Sequence, residues 1–378
     1  MARKPITPKV KHFVRKNLSA DRWNTKFGFQ VVLMLLLSAS WAGSTIHALA
    51  SSPNEDTVYV RFAFQGFKRM EESFYRNNLH FARKLHCDRR RRLFLVVDET
   101  YEPYFGKEKG EWIHEYKSQK GCTGSFKFLT FALVAPKQWR FVVRSIPVKK
   151  KYNTTKIIVS TASAIHREIP YTAALFDRGF YEKNLSFALQ RAGIPFLIRA
   201  EIRGWLKKKL SFIKASKRFL HWQADGHEPL FLWLGWKKHG DKEIDWGFVT
   251  NIPTLSWMQC LAWYKERWNI ENVFKATDGI QLKMATSKIE QKLFSVLLSF
   301  LVYNAWQQEK YGVGTHISLS GFLEKLINDE LEAYKDTGPP LTIHVPGWSV
   351  FCRGNSSCHF LFVGRNQIPD VYRTEECH

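Results

Sequence analysis

The chain has 378 residues, with 57 lysines and arginines against 34 aspartates and glutamates, and its formal net charge is +23. A charge of this size favours a polyanionic partner, most often a nucleic acid. Hydrophobic residues make up 45% of the sequence, which is enough apolar material to exclude a wholly disordered protein. Six cysteines are too few for a disulfide scaffold, so we expect free thiols.

The N-terminal region is basic at first and then apolar. Residues 1–25 are polar and basic, whereas residues 27–46 carry no charge and contain an unbroken apolar run at 31–37. Such a pattern permits a signal peptide or a membrane span. Serine, threonine and glycine lower the hydropathy of the run, and we therefore favour a buried core helix. We predict helices at about 26–50 and 57–86.

From residue 93 the pattern changes to that of buried strands. Short apolar or β-branched runs predict strands separated by turns and helices, at 93–97, 126–134, 140–148, 172–176 and 196–199. A helix is predicted at about 181–192. Hairpins followed by βαβ units predict an α/β fold, in which helices pack on the faces of a mixed sheet.

The remainder of the chain departs from this alternation. Residues 201–252 are rich in tryptophan, lysine and glycine and predict a β-rich insertion, with strand-like pieces at 230–234 and 246–250. Long helical patterns follow at 257–276 and 286–310. Residues 311–378 are punctuated by proline and glycine and yield no clear prediction.

Three carboxylates lie where a mixed sheet would hold a ligand. Asp98 follows the first predicted strand and Asp177 follows the fourth, and strand ends of this kind open into the crevice where ligands bind. Glu271 lies on the first long helix. Offsets of three and four residues place it on one helix face with Tyr264 and Arg267.

Two aspartates and a glutamate from three separate elements form an oxygen-only ligand set, which suits Mg²⁺ or Mn²⁺. Two such ions, about 3.5–4 Å apart, support phosphoryl transfer by stabilising both the attacking and the leaving oxygen. Each residue also has a structural interpretation. An aspartate after a strand often forms a turn or caps a helix, and an arginine and glutamate four residues apart often form a surface ion pair.

The motifs around these carboxylates resemble those of a known family. The first motif comprises VDET at 97–100 and PYFG at 103–106, followed by KSQKG at 117–121, FKFLTFALV at 126–134 and RSIPV at 144–148. FDRGFY at 176–181 is the second, YKERWNIENVFK at 264–275 the third, and TSK at 286–288 and LVYNAW at 301–306 come after it. Together they resemble the DDE transposases of prokaryotic insertion sequences, in the insertion-sequence-four-like branch that carries a Tyr-Arg-Glu-Lys signature and a β-strand insertion.

The resemblance implies an RNase H-like catalytic domain over residues 93–310, with the insertion at about 201–252. There Asp98, Asp177 and Glu271 would be catalytic and would bind two Mg²⁺ or Mn²⁺ ions. The ions would activate water and then a DNA 3′-hydroxyl, so that strands are cut and joined at the ends of the element. Tyr264 and Arg267 would contact phosphates near the cut.

The same resemblance extends to partners and to the other regions. It implies binding of transposon ends and target DNA, a homodimer in the DNA complex, and a cytoplasmic, nucleoid-associated protein without a membrane segment. Residues 1–92 would recognise the DNA ends, whereas residues 311–378 receive no role. Arg178, beside the second aspartate, would also contact DNA.

One position departs from the family pattern. The family lysine lies seven residues after the glutamate, and Asp278 stands there in this chain. Lys275, one turn beyond Glu271, is a candidate substitute that would contact DNA, and Lys283 is another.

The dense basic block lies in the insertion. Residues 199–218 carry eight lysines and arginines against one acid, Glu201, with Trp205, Phe212 and Phe219 interleaved. Basic residues alternating with aromatic ones favour a surface that follows a phosphate backbone, and we expect Lys207, Lys208 and Lys209 to contact DNA. A solvated charged face is the alternative. Tryptophans that would stack on a flipped base, or else pack in the core, are Trp233, Trp236 and Trp246.

Two other functions and one metal site stay open on the residues alone. The replacement of the family lysine is compatible with an inactive, transposase-derived protein that only binds DNA. A nuclease with the same core would cut strands without joining them. Cysteines and histidines near the C-terminus, including Cys352, Cys358 and His359, permit a zinc site, but their spacing matches no standard one.

Overall fold

The computed structural model describes residues 7–17, 29–41, 50–51, 66–85, 92–116, 118–213, 216–221, 229–239, 242–284, 286–335, 341–345, 348–353 and 357–361. The chain divides into two compact units. The central unit is Tyr75–Phe274, and the terminal unit combines Met1–Phe74 with Lys275–His378.

The described helices are α1 (Thr7–Asn17), α2 (Phe29–Trp41), α3 (Phe67–Leu85), α4 (Thr154–Glu168), α5 (Lys183–Arg191), α6 (Gly204–Ser211), α7 (Trp257–Asp278), α8 (Ile289–Gln308) and α9 (Leu319–Lys335). The described strands are β1 (Ala50–Ser51), β2 (Phe94–Tyr104), β3 (Ile113–His114), β4 (Gly124–Val134), β5 (Arg140–Val148), β6 (Ala173–Phe176), β7 (Phe196–Arg199), β8 (Lys217–His221), β9 (Leu230–His239), β10 (Lys242–Thr250), β11 (Leu341–Val345), β12 (Trp348–Arg353) and β13 (Ser357–Leu361).

The central unit is built on one mixed sheet of nine strands. Their order is β3-β4-β2-β6-β7-β10-β9-β8, and β5 pairs with β4 as well. The pairs β2–β6 and β6–β7 are parallel, whereas the other neighbours are antiparallel. Hairpins therefore come first and parallel crossover units follow, so the predicted mixed α/β sheet is confirmed.

Apolar side chains of the sheet and of the flanking helices share one core. Strands β4 and β6 are almost continuously buried, and so is the first part of β2, Phe94–Val97, as expected for strands covered on both faces. Helices α4 and α5 add their buried faces to this cluster, which includes Leu95, Val97, Leu129, Phe131, Ile158, Ile165, Phe176, Leu185 and Leu189. The core thus holds the strands that carry the two aspartates in fixed register.

Strand β2 is longer than the predicted 93–97, and Asp98 lies within it rather than after it. Antiparallel β4 pairs with the whole of β2, up to Tyr104. Parallel β6 pairs only as far as Val97, which lies opposite Phe176. Asp98 and Asp177 are therefore the first residues beyond the end of the β2–β6 ladder.

The insertion extends the same sheet. Strand β10 pairs antiparallel with β7, placing Phe248 opposite Arg199, and β9 and β8 follow in turn. Residue 247 is a glycine because an added Cβ would lie 2.7 Å from Cδ1 of Ile202 and 3.0 Å from Cβ of Ala200. This close approach joins the insertion to the end of β7.

In the terminal unit, α2 is a core helix. Its consecutive residues Leu33–Leu37 are buried, which confirms the interpretation of the apolar N-terminal run as a buried helix. On α1, Phe13 packs edge-to-face on Phe74 and stacks with Phe294 of α8. Helices α2 and α3 are described from Phe29 and Phe67. Residues 18–28, 42–49 and 52–65 lie outside the description, so the predicted starts at about 26 and 57 stay predictions.

Two further findings concern the terminal unit. Strands β1, β11, β12 and β13 form a small antiparallel sheet, which pairs residues 50–51 with a C-terminal segment that had no prediction. Among the described residues, no helix combines the length and the hydropathy that a membrane crossing requires.

Candidate functional site

The three predicted carboxylates come from neighbouring parts of the central unit. Asp98 emerges from β2 where the parallel partner strand ends. Asp177 directly follows β6 and leads into a short 3₁₀ turn at Arg178–Phe180. Glu271 lies on α7. Since β2 and β6 are adjacent and parallel, both aspartates lie at the same edge of the sheet.

One face of α7 contacts both aspartates. The Tyr264 hydroxyl donates a hydrogen bond to Oδ1 of Asp177 at 2.7 Å. Arg267 donates from Nη1 to Oδ2 of Asp98 at 3.3 Å, and from Nη2 to Oε1 of Glu271. The structure therefore brings the three carboxylates together around Tyr264 and Arg267.

The Arg267–Glu271 pair is not a surface ion pair. Arg267 is only 5% exposed, and its guanidinium carbon lies 5.3 Å from the ring centroid of the buried Tyr264. A buried charge is stable only when it is paired, and here the guanidinium is paired with two carboxylates. The spacing of Tyr264, Arg267 and Glu271 on α7 therefore places the arginine inside the site.

Electrostatics distinguish the two aspartates. Burial raises the pKa of Asp98 to about 6; Arg267 opposes this rise, while the nearby charges of Asp177 and Glu271 add to it. For Asp177, burial also raises the pKa, but the Tyr264 hydrogen bond and the positive charges of Arg267 and Arg199 outweigh it and leave the pKa below its ordinary value. Burial therefore leaves the negative charge of Asp98 less well compensated than that of Asp177.

Arg199 is a member of the site that sequence reasoning placed only in the basic block. It is the last residue of β7, whose parallel neighbour β6 ends at Phe176, directly before Asp177. Its guanidinium carbon lies 4.4 Å from the ring centroid of Trp246 and 6.0 Å from that of Tyr264. Its position at the end of a parallel strand was the available signal, because such ends converge on one edge of the sheet.

The donor set suits a hard divalent cation in its chemistry, since it consists of three carboxylates with an excess of negative charge at Asp98. The positively charged guanidinium of Arg267 lies between Asp98 and Glu271 and pairs with both. In the part of the chain that the structure describes, however, no three histidine, cysteine, aspartate or glutamate side chains are gathered closely enough to hold one ion.

The remaining predicted DNA-contacting residues fall into two groups. Arg178 and Lys275 are exposed, the first directly beside Asp177 and the second one turn after Glu271 on α7. Asp278, which replaces the family lysine, accepts a hydrogen bond from Nζ of Lys283 at 2.7 Å. Lys283 therefore neutralises Asp278.

Helix α6 and strand β8 form a surface of exposed cations and aromatic rings, which we call the α6–β8 surface. Lys207 and Lys208 are exposed on α6, whereas Nζ of Lys209 lies 3.9 Å from the ring centroid of Phe219. Trp205 is 54% and Phe212 86% exposed. Exposed apolar patches often mark an interaction site.

The tryptophans considered for base stacking have packing roles instead. The indole nitrogen of Trp233 donates to the carbonyl of Leu255 at 2.9 Å. Trp246 stacks with Phe248 and contacts Tyr264 edge-to-face. Trp236 is partly buried against the core. These contacts favour the core-packing interpretation. Among the described residues of the insertion, the large exposed aromatic side chains are those of Trp205 and Phe212.

The thiol and zinc expectations are only partly covered by the described residues. Cys122 and Cys260 are buried and free, as expected. The side chains of Cys352, Cys358 and His359 lie outside the description, so a zinc site there stays a prediction.

No protein-family model and no curated protein matches this chain. Among solved structures, it is similar to the cryo-EM structure of the piggyBac transposase synaptic complex with hairpin DNA. The TM-score is 0.53 at 10% sequence identity, and the match covers 86% of this chain and 77% of that chain. At this identity the likeness concerns the fold alone. Membership of the insertion-sequence-four-like branch and a prokaryotic source stay predictions, and the chain has a mixed α/β, RNase H-like fold similar to that of a transposase.

Proposed function

We propose that this protein is a DDE-type DNA transposase, which cuts DNA strands at the ends of a mobile element and joins them to target DNA. The observation that carries the proposal is the meeting of Asp98, Asp177 and Glu271 around Tyr264 and Arg267, at one edge of an RNase H-like sheet. The fold similarity to a transposase that was solved with DNA supports it.

In this proposal Asp98, Asp177 and Glu271 would hold two Mg²⁺ or Mn²⁺ ions. When bound, such ions stabilise negative charge on the phosphoryl group during in-line displacement. Tyr264 orients Asp177 through its hydroxyl, and in the metal-free protein Arg267 pairs with both Asp98 and Glu271. A phosphate that enters this edge of the sheet finds fixed positive charge at Arg199.

The DNA itself would extend along the basic surfaces of the central unit. Arg178 lies directly beside the site, and Lys207, Lys208 and Lys209 lie on α6. Lys275 follows Glu271 on α7 and takes part of the role of the missing family lysine. Transposon ends and target DNA are the proposed ligands, and two copies of the chain would act together so that both ends are held at once.

The test is strand cleavage of a labelled duplex that carries the terminal sequences flanking the coding region, with Mg²⁺ or Mn²⁺. Wild-type protein is expected to cut, and Asp98→Ala and Asp177→Ala are expected to lose at least about a thousandfold in rate, since each removes a ligand carboxylate. Glu99→Gln is the matched control. It neutralises the next carboxylate on β2, which is paired with Lys127 at 2.6 Å, and it should retain cleavage.

The outcome also separates the rival functions. Full cleavage by Asp98→Ala would reject the site assignment. Binding of the duplex without metal-dependent cutting identifies an inactive, transposase-derived DNA-binding protein, a function that the replacement of the family lysine by Asp278 favours. Cut strands that are never joined to a target plasmid identify a nuclease with the same fold.

A further inference from the structure

We propose that Arg267 is an internal counter-ion, which occupies the carboxylates in the metal-free protein and leaves them when a divalent cation binds. The inference rests on the proposed function, because it assigns the metal to the same carboxylates. It goes beyond that function by giving one side chain two alternative positions.

The first observation is the pairing itself. Arg267 binds Oδ2 of Asp98 with one terminal nitrogen and Oε1 of Glu271 with the other. These two carboxylates come from β2 and α7, and Arg267 and Asp98 are 169 residues apart in sequence. The guanidinium is thus shared between two of the three proposed metal ligands, while no described group of three acidic, histidine or cysteine side chains is gathered for a metal.

The second observation is that the pairing leaves Arg267 incompletely bonded. Nε of Arg267 is buried and has no hydrogen-bond partner within the described residues. A buried N–H without an acceptor is unfavourable, since it lost its water on folding. A DNA phosphate offers several acceptor oxygens, and a guanidinium binds phosphate through two parallel hydrogen bonds.

The competition follows from charge. A divalent cation and a guanidinium both require the oxygens of Asp98 and Glu271, and two cations within contact distance repel each other. Without metal, Arg267 offsets the repulsion among the carboxylates. That repulsion would cost more free energy than the incomplete hydrogen bonding of Arg267. With metal bound, that repulsion is offset by the ion, and Arg267 becomes available to a phosphate.

A consequence is that metal and DNA bind cooperatively through one side chain. A phosphate that draws Arg267 away from Asp98 and Glu271 raises the affinity of those carboxylates for the metal. By thermodynamic linkage, bound metal raises the affinity of the site for the phosphate by the same factor. Metal alone would then bind weakly, and premature cutting without correctly placed DNA is suppressed.

The test is Mn²⁺ binding to the metal-stripped full-length protein, measured without DNA by the electron paramagnetic resonance signal of free Mn²⁺. Arg267→Gln is expected to bind Mn²⁺ about tenfold more tightly than wild type, in the usual range of coupling between sites. Arg83→Gln is the matched control, because it removes one positive charge from an ion pair with Glu168 elsewhere in the central unit. It should change the affinity by less than about twofold.

Equal or weaker Mn²⁺ binding by Arg267→Gln, together with Asp98-dependent binding by wild type, overturns this inference and leaves the proposed function standing. If the wild-type protein shows no Mn²⁺ binding that depends on Asp98, as judged by Asp98→Asn, both this inference and the proposed function are overturned. If Arg267→Gln does not fold, the inference is tested on the wild-type protein instead. The ¹⁵N resonance of the Arg267 side chain, assigned by its loss in Arg267→Lys, should shift when Mg²⁺ is added, and an unmoved resonance overturns the inference.

Discussion

Arg267 and Asp98 show how one residue pair sets the properties of the site. Arg267 is buried and bonded to Asp98, yet the pKa of Asp98 still rises to about 6, because burial and two nearby carboxylates outweigh the ion pair. The metal-free site therefore carries an unfavourable negative charge. Functional sites commonly hold such groups at the expense of stability.

Asp98→Asn is expected to stabilise the metal-free protein at neutral pH. The folded state binds the Asp98 proton more tightly than the unfolded state, whose pKa is near the ordinary 3.8. This contribution to stability is present below about pH 4 and is lost as the pH rises to about 6, so the neutral asparagine avoids the loss. Urea unfolding in a chelating buffer should show a gain of about 1–3 kcal/mol at pH 7.5 and almost none at pH 4.

The same gain at both pH values would show that Asp98 does not carry a raised pKa. Asp177→Asn provides the comparison, because the pKa of Asp177 is lowered by the Tyr264 hydrogen bond and the nearby arginines, which outweigh its burial. Its substitution should destabilise the protein at pH 7.5 rather than stabilise it.

At the scale of elements, the proposed function assigns the chemistry to one face of helix α7 and DNA binding to the α6–β8 surface. Helix α7 presents Tyr264, Arg267 and Glu271 on one face toward the two strand ends. The α6–β8 surface presents lysines beside the exposed Trp205 and Phe212. Lysines neutralise phosphates and aromatic rings stack on bases, and the combination is suited to distorted or single-stranded DNA.

Replacing Lys207 and Lys208 by alanine is expected to weaken DNA binding and its dependence on salt. Each phosphate contact contributes roughly 0.9 to the slope of log affinity against log salt, so the slope should fall by nearly two. Fluorescence anisotropy of a labelled duplex between 50 and 200 mM salt, roughly the range over which such contacts act, measures it. Lys156 and Arg167 are two exposed cations on α4, and their double alanine variant is the control. Equal slopes for both variants would count against the α6–β8 surface.

At the scale of the whole molecule, the mixed sheet of the central unit is continuous from β3 to β8. The strands of the insertion therefore belong to the same sheet. They join it through the backbone pairing of β10 with β7. Arg199 and Trp246 meet because of this pairing. Arg178, Arg199 and the lysines of α6 belong to the same unit as the carboxylates, and under the proposed function their positive charge would favour the approach of DNA.

Gly247→Ala is expected to destabilise this continuous sheet by about 1–3 kcal/mol, because its methyl group would overlap the side chains of Ile202 and Ala200. Thermal or urea unfolding followed by tryptophan fluorescence measures the change. Gly179→Ala is the control, since an added Cβ meets nothing within 4 Å there. Equal stabilities of the two variants would mean that the close approach at Gly247 is not required.

Much of the fold was predictable because strands and helices follow from local periodicity. The strand at 140–148 and the strand at 196–199 match β5 and β7 in full, and the long helices match α7 and α8 to within a few residues. The length of β2 was not predictable, since polar residues after Val97 end the apolar pattern. Those residues are held in the strand by pairing with β4, up to Tyr104 opposite Gly124.

By itself, the sequence determined the elements, the candidate carboxylates and the positive charge, since each is a property of residue type and local spacing. Only the tertiary structure decided which side chains meet. Tyr264 reaches Asp177 over 87 residues of chain and Arg267 reaches Asp98 over 169. Sheet register and helix packing set such contacts, and they depend on non-local pairing that local periodicity does not encode. For that reason Arg267 is predicted from sequence as a phosphate contact and is found bound to the carboxylates.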